Sequence, residues 1–129
     1  MFKRDLELDR SWATLMSKLE PLIGKRPKDL NSVLFLIGVQ ELGRGRQHFS
    51  KEEKQDLMHI AICEVLSLSG YYELEGLDAE GWPHWKVIKK LPHFDLLEQE
   101  RLLKMHVIEY FEKEYTWNAT DPASERASL

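Results

Sequence analysis

Hydrophobic residues recur at three- and four-residue spacing in several separate stretches of this chain. The first stretch predicts an amphipathic helix over about residues 5–20. Pro21 has no backbone N–H to donate, so we expect that helix to end or kink there. The last stretch predicts a helix that Asp95 caps and that runs to about Tyr115.

A second apolar stretch over residues 33–42 has almost no polar face, which is typical of a helix buried on most sides. A buried strand is the alternative for so short a stretch. Two flanking signals favour the helix: Asp29 or Asn31 can cap its start, and Gly43 can end it.

A capping-box sequence predicts the start of a third helix. Ser50 precedes Glu53 by three residues, so each side chain can bond the backbone N–H of the other. We expect this helix to continue through a nearly unbroken apolar run to about Ser69, with Gly70 at its end.

The pattern changes to alternation over residues 71–89, on both sides of a polar, glycine-containing turn. This arrangement predicts a β-hairpin, with Pro83 at a strand start or a sheet edge. Within it we expect Leu74, Trp85 and Val87 to face the core.

These elements predict a mainly α fold: a compact four-helix orthogonal domain with one small hairpin between helices 3 and 4, in winged-helix-like order. Residues 1–117 would form this single domain, with the hairpin at about 71–89. Residues 118–129 have the composition of a flexible C-terminal tail.

Charge is unevenly spread along the chain. Residues 1–50 carry nine basic and six acidic residues, whereas residues 51–129 carry nine basic and sixteen acidic ones. The third helix begins with several acidic residues, and the hairpin is acidic too, so a winged-helix-like binder of nucleic acid is disfavoured. No apolar stretch is long enough to predict a membrane span, and the start does not resemble a signal peptide, so we expect a cytoplasmic protein.

Two carboxylate–histidine pairs at helical spacing suggest a metal-dependent helical-bundle enzyme. The candidate ligands are Asp56, His59, His106 and Glu109. Residues three apart share a helix face, as in carboxylate-bridged metal sites. Glu41 and Glu64 are further carboxylates that nothing in the sequence places nearby. The competing interpretation has the carboxylates solvated and each histidine partly buried with a backbone partner.

Cys63 is the only cysteine, and it lies one helical turn from His59. A reactive thiol–imidazole pair is sterically conceivable, but a cysteine among apolar neighbours is typical of a buried, inert thiol. No phosphate-binding glycine loop or zinc-spaced cluster is present in the sequence, and we expect no cofactor.

The segment Trp82-Pro83-His84-Trp85 concentrates aromatic side chains on the hairpin. Since strand side chains alternate, an inward Trp85 would leave Trp82 and His84 on the other face. Exposed aromatic residues often mark contact sites, and Tyr72, Trp82 and His84 are the candidate partner-binding residues. In the alternative, Trp82 simply completes the core.

The leading hypothesis from the sequence is a non-enzymatic interaction or adaptor domain, with a protein partner or a second copy of the chain bound at the hairpin. The alternatives are the metal-dependent enzyme and, least favoured, the nucleic-acid binder.

Overall fold

The computed structural model describes residues 2–43 and 48–114, with the side chains of residues 6–43 and 48–114. The predicted fold is confirmed: the described chain is mainly helical, and a two-stranded antiparallel hairpin lies between the third and fourth helices. The elements in chain order are α1 (Phe2–Ile23), α2 (Leu30–Leu42), α3 (Lys51–Ser67), β1 (Tyr72–Leu77), β2 (Pro83–Val87) and α4 (Leu96–Glu114).

The prediction that α1 ends at Pro21 is wrong, because the helix continues to Ile23. A proline removes one backbone hydrogen bond, and in the last turn of a helix few bonds remain to be lost. The N–H of Gly24 still donates to the carbonyl of Glu20 at 2.8 Å. The helix ends at Gly24, whose φ of 97° is a left-handed conformation that favours glycine.

The two central helices have the caps that their sequences predict. Asp29, rather than Asn31, caps α2, because its carboxylate accepts from the backbone N–H of Ser32 at 2.9 Å. At the start of α3, Ser50 and Glu53 form the complete capping box, with bonds of 2.8 and 3.1 Å. The helical interpretation of residues 33–42 is therefore confirmed over the strand alternative.

Buried side chains form two clusters. The larger one lies between the four helices and includes Val33 and Ile37 of α2 and Val107 of α4, all fully buried. The smaller one consists of Leu42, Phe49 and Leu57, with Phe35, Val39 and Trp82 packed against it. The smaller cluster is what brings the hairpin turn close to the junction of α2 and α3.

The hairpin packs on α3, and its register pairs Tyr72 with Val87 and Leu74 with Trp85. Of the three residues predicted to face the core, Trp85 is partly buried, but Leu74 is 49% exposed and Val87 56% exposed. The prediction is wrong for Leu74 and Val87. A two-stranded hairpin that packs along a single helix has only part of its inner face in contact with that helix. Side chains that lie beyond the edge of the helix remain in solvent.

Helix α4 begins with a second capping box, since Asp95 and Glu98 exchange bonds of 2.8 and 3.1 Å. Asp95 is therefore the predicted cap. The helix is described as far as Glu114, and the predicted tail over 118–129 lies outside the described residues. In the described part of the chain, no helix combines the length and the hydrophobicity that crossing a bilayer requires.

Candidate functional site

An open cleft of about 510 Å³ lies between α3 and the hairpin. Its α3 wall carries Asp56, His59 and Ile60, and its other wall is the turn and the second strand of the hairpin. Trp82 anchors the turn on the smaller cluster. The cleft is the space that remains between this turn and the exposed first turns of α3.

Asp78 holds the hairpin turn in shape. One of its carboxylate oxygens accepts from the backbone N–H of Glu80 at 2.9 Å and of Trp82 at 3.0 Å. The other accepts from Nε2 of His84 at 2.9 Å. The bond from His84, followed by those from the backbone, holds the pKa of Asp78 below its ordinary value, so this group stays a carboxylate. Sequence patterning identified the turn but not this role.

Two of the three predicted partner-binding residues line the cleft. His84 is exposed there, with its ring held by Asp78. Trp82 is partly buried against the smaller cluster, so the alternative in which it completes the core describes its packing. Tyr72 does not line the cleft; it packs against the larger cluster. Burial, together with nearby Cys63, raises the pKa of Tyr72.

Trp85 is the second tryptophan of the cleft, whereas the sequence predicts it only as a core residue. It is partly buried and lies across from Leu74 in the hairpin. Its indole Nε1 is buried and has no hydrogen-bond acceptor among the described residues. A buried donor without an acceptor costs about 1–3 kcal/mol, which is unusual for a purely structural side chain.

The cleft is negatively charged. Four carboxylates line it, on Glu53, Asp56, Asp78 and Glu80. Two imidazoles lie among them, and the described residues that line the cleft include no lysine or arginine. Charges of one sign in a concave surface reinforce one another and attract ions of the opposite sign.

The four metal-ligand candidates are not brought together. Asp56 and His59 line the cleft, but His106 is buried on α4, where Nδ1 donates to the carbonyl of Leu102 at 2.8 Å. Its Nε2 therefore accepts from the Ser69 hydroxyl at 2.7 Å. Among the described residues, no group of three or more His, Cys, Asp or Glu side chains is placed to hold a metal ion.

The Cys63 thiol lies 3.5 Å from Nε2 of His59, so the contact that the one-turn spacing allows is present. The thiol is fully buried, however, and burial raises the pKa of Cys63 to about 11. A thiol of this kind stays protonated near neutral pH, which is the opposite of what a nucleophile needs.

Comparison of the chain with protein-family models, with curated proteins and with solved structures found no match.

Proposed function

We propose that this protein is a non-enzymatic interaction domain that binds a basic segment of a partner protein in the cleft between α3 and the hairpin. The observation that carries the proposal is the composition of the cleft: four carboxylates and two tryptophans in one concave surface. A cytoplasmic location is part of the same proposal.

Carboxylates and indole rings both attract cations. Carboxylates pair with ammonium and guanidinium groups, and an aromatic face adds a cation–π attraction of about 0.5–2 kcal/mol. The chain itself contains such contacts, since Lys89 lies 4.6 Å from the ring centre of Tyr71 and Lys104 lies 5.3 Å from that of Trp12. A lysine or arginine of a partner would meet the same chemistry in the cleft.

The hairpin that forms one wall of the cleft also carries exposed apolar residues. Leu77, Val87 and Ile88 of the hairpin region are all more than half exposed. Aliphatic stems of bound lysine and arginine residues pack well on such groups. An extended basic segment therefore has both charged and apolar contacts along the hairpin, whereas an acidic or nucleic-acid ligand would be repelled.

The test is a titration that follows tryptophan fluorescence and calorimetric heat. A short peptide of alternating lysine or arginine and glycine is compared with its aspartate counterpart. We expect the basic peptide to bind, the acidic one not to bind, and affinity to fall as salt screens the charges.

Two charge-reversal variants locate the binding. Asp56 is an exposed cleft residue, and Asp56→Lys should weaken binding by about tenfold or more, because like charges then face each other at close range. Glu109 is exposed on α4 and does not line the cleft, so Glu109→Lys is the matched control and should cost less than about threefold.

Equal losses in the two variants, or equal binding of both peptides, would overturn the proposal. Sedimentation analysis of the protein alone tests whether the chain self-associates. A dimer that Asp56→Lys dissociates would show that the occupant is a second copy, and the basic-segment proposal would then be wrong.

A further inference from the structure

The outer edge of β2 borders the cleft. Three consecutive residues of this strand line the cleft wall: Pro83, His84 and Trp85. Side chains alternate between the two faces of a strand, so a cavity that lay over one face would contact only every second residue. Among the described residues that line the cleft, none belongs to β1. The cleft therefore runs along the edge of β2 that lies away from β1.

The hydrogen bonds at the two ends of β2 show which of its backbone groups face β1. At one end, the N–H of Ile88 donates to the carbonyl of Tyr71 at 2.9 Å. At the other end, the N–H of Asp78 donates to the carbonyl of Trp82, also at 2.9 Å. Along an antiparallel strand, residues that bond the partner strand alternate with residues whose N–H and C=O groups point away from it. Both ends therefore agree that the even-numbered residues of β2 face β1.

The outward-facing residues of β2 are Pro83, Trp85 and Val87. Pro83 has no N–H, and at an outward-facing position no bond of the hairpin is lost. Outside the helices and the hairpin itself, no backbone hydrogen bond among the described residues involves Trp85 or Val87. The edge therefore presents two N–H donors and three carbonyl acceptors that an added strand could bond.

We propose that the basic segment binds in an extended conformation, as a third strand paired with this outer edge of β2; the inference rests on the proposed function and adds how the segment is held. Main-chain hydrogen bonds to a sheet edge give an extended peptide its affinity, and alternate side chains give it specificity. The charge beside the edge selects a basic strand, because Glu53 and Asp56 of α3 line the same cleft as Trp85.

The two faces of the hairpin determine the spacing of the basic residues. Trp85 is partly buried where the hairpin packs on α3, whereas Lys86 lies on the opposite face, is exposed and pairs with Glu73. A basic residue of the added strand next to Lys86 would place like charges side by side, which destabilises a sheet. The bound segment therefore has a basic residue at every second position, on the α3 side, with uncharged or acidic residues between them.

Amide hydrogen exchange, followed by NMR, tests the pairing on the wild-type protein. The peptide of alternating lysine and glycine is added at a saturating concentration. The N–H of Ile88 already donates to Tyr71, so it is the matched control for a general stabilisation of the hairpin. We expect binding to slow exchange at Trp85 and Val87 by about tenfold or more beyond its effect at Ile88, because only the first two gain acceptors. Equal slowing at all three amides would contradict strand pairing.

Two N-methylated peptides provide an independent test that leaves every charge in place. One peptide carries the methyl group on each lysine nitrogen of the main chain, and the other carries it on each glycine nitrogen. Since alternate residues of a strand face opposite edges, only one of the two sets can bond β2. We expect one peptide to bind about tenfold or more weakly than its parent, because main-chain bonds are lost, and the other to bind nearly as well. Equal affinities of the two would show that the segment is not held as a strand.

The spacing is tested with a peptide of the same composition whose lysines are consecutive. It should bind about two- to fivefold more weakly than the alternating peptide, because some of its lysines then lie beside Lys86. Equal or tighter binding of the consecutive peptide would contradict the alternation.

Failure of the strand pairing is distinguishable from failure of the proposed function. If the basic peptide binds and Asp56→Lys weakens it, but Trp85 and Val87 gain no protection, the cleft remains a site for a basic segment and only the strand pairing is wrong. If the basic peptide does not bind, both proposals are wrong. Protection of these two amides that rises with the concentration of the protein alone would identify a second copy as the occupant, and the pairing with a partner's basic segment would then be wrong.

Discussion

Gly38 lies in the contact between α2 and α3, and the space around it explains why no larger residue fits there. A Cβ at this position would overlap the Leu57 carbonyl oxygen and lie 2.7 Å from its carbon. Both atoms belong to the backbone of α3 and have no rotamer by which to move away. The apolar sequence around Gly38 predicts a buried helix but gives no indication that its neighbour approaches so closely.

Gly38→Ala should therefore destabilise the protein. In an exposed helix the same change gains up to about 1 kcal/mol, but here overpacking should cost about 1–3 kcal/mol or more. Urea unfolding measures the difference, with Asn31→Ala on the exposed side of α2 as the control. A gain in stability from Gly38→Ala would contradict the helix contact described here.

Other single residues show which roles the local sequence pattern predicts and which roles it does not. Asp29, Ser50 and Asp95 cap the helices that their sequence positions predict, because a cap bonds backbone groups only a few residues away. Asp78 and Trp85 have roles that patterning missed. The role of Asp78 depends on its contact with His84, and the role of Trp85 depends on how the hairpin packs against α3.

At the scale of elements, the capping box of α3 is the feature most amenable to a direct test. Ser50 accepts from the backbone of Glu53, and the Glu53 carboxylate accepts from the backbone of Ser50. The helix it begins also forms one wall of the cleft.

Ser50→Ala should lower the free energy of unfolding by about 1 kcal/mol, because the N–H of Glu53 loses its acceptor. Denaturant unfolding should show a lower midpoint with an unchanged slope. Ser11→Ala, at an exposed position within α1, should have little effect. Equal effects of the two substitutions would show that the cap contributes nothing.

The hairpin illustrates the limit of pattern reading at this scale. Alternation located both strands, and the observed register places Glu73 opposite Lys86. The alternation did not show which side chains are buried, because a two-stranded hairpin has no second layer of its own that would define a buried face. Packing on α3 decided that Trp85 is covered and that Leu74 is not.

In the molecule as a whole, some apolar residues form the core that stabilises the fold, and others are exposed on its surface. Leu57 is fully buried in the smaller cluster, whereas Val87 is 56% exposed on the hairpin. Both are apolar residues of predicted core-facing segments, so sequence alone did not distinguish them.

Leu57→Ala should cost about 2–5 kcal/mol, since it leaves a cavity where α2, α3 and the turn meet. Val87→Ala should cost less than about 1 kcal/mol, because little of this side chain leaves water on folding. Chemical denaturation of both variants makes the comparison. A large loss from Val87→Ala would mean that the hairpin packs more tightly than described.

The sequence by itself determined the four helices, the N-caps of α2, α3 and α4 and the position of the hairpin, because each depends on interactions between residues within about one helical turn or one tight turn. Only the tertiary structure placed Asp56 and Trp85 in one cleft and joined Tyr110 of α4 to Glu41 of α2 by a hydrogen bond. These groups are far apart along the chain. Their proximity depends on which helix faces pack together, and many arrangements of the same amphipathic elements would bury their apolar stripes equally well.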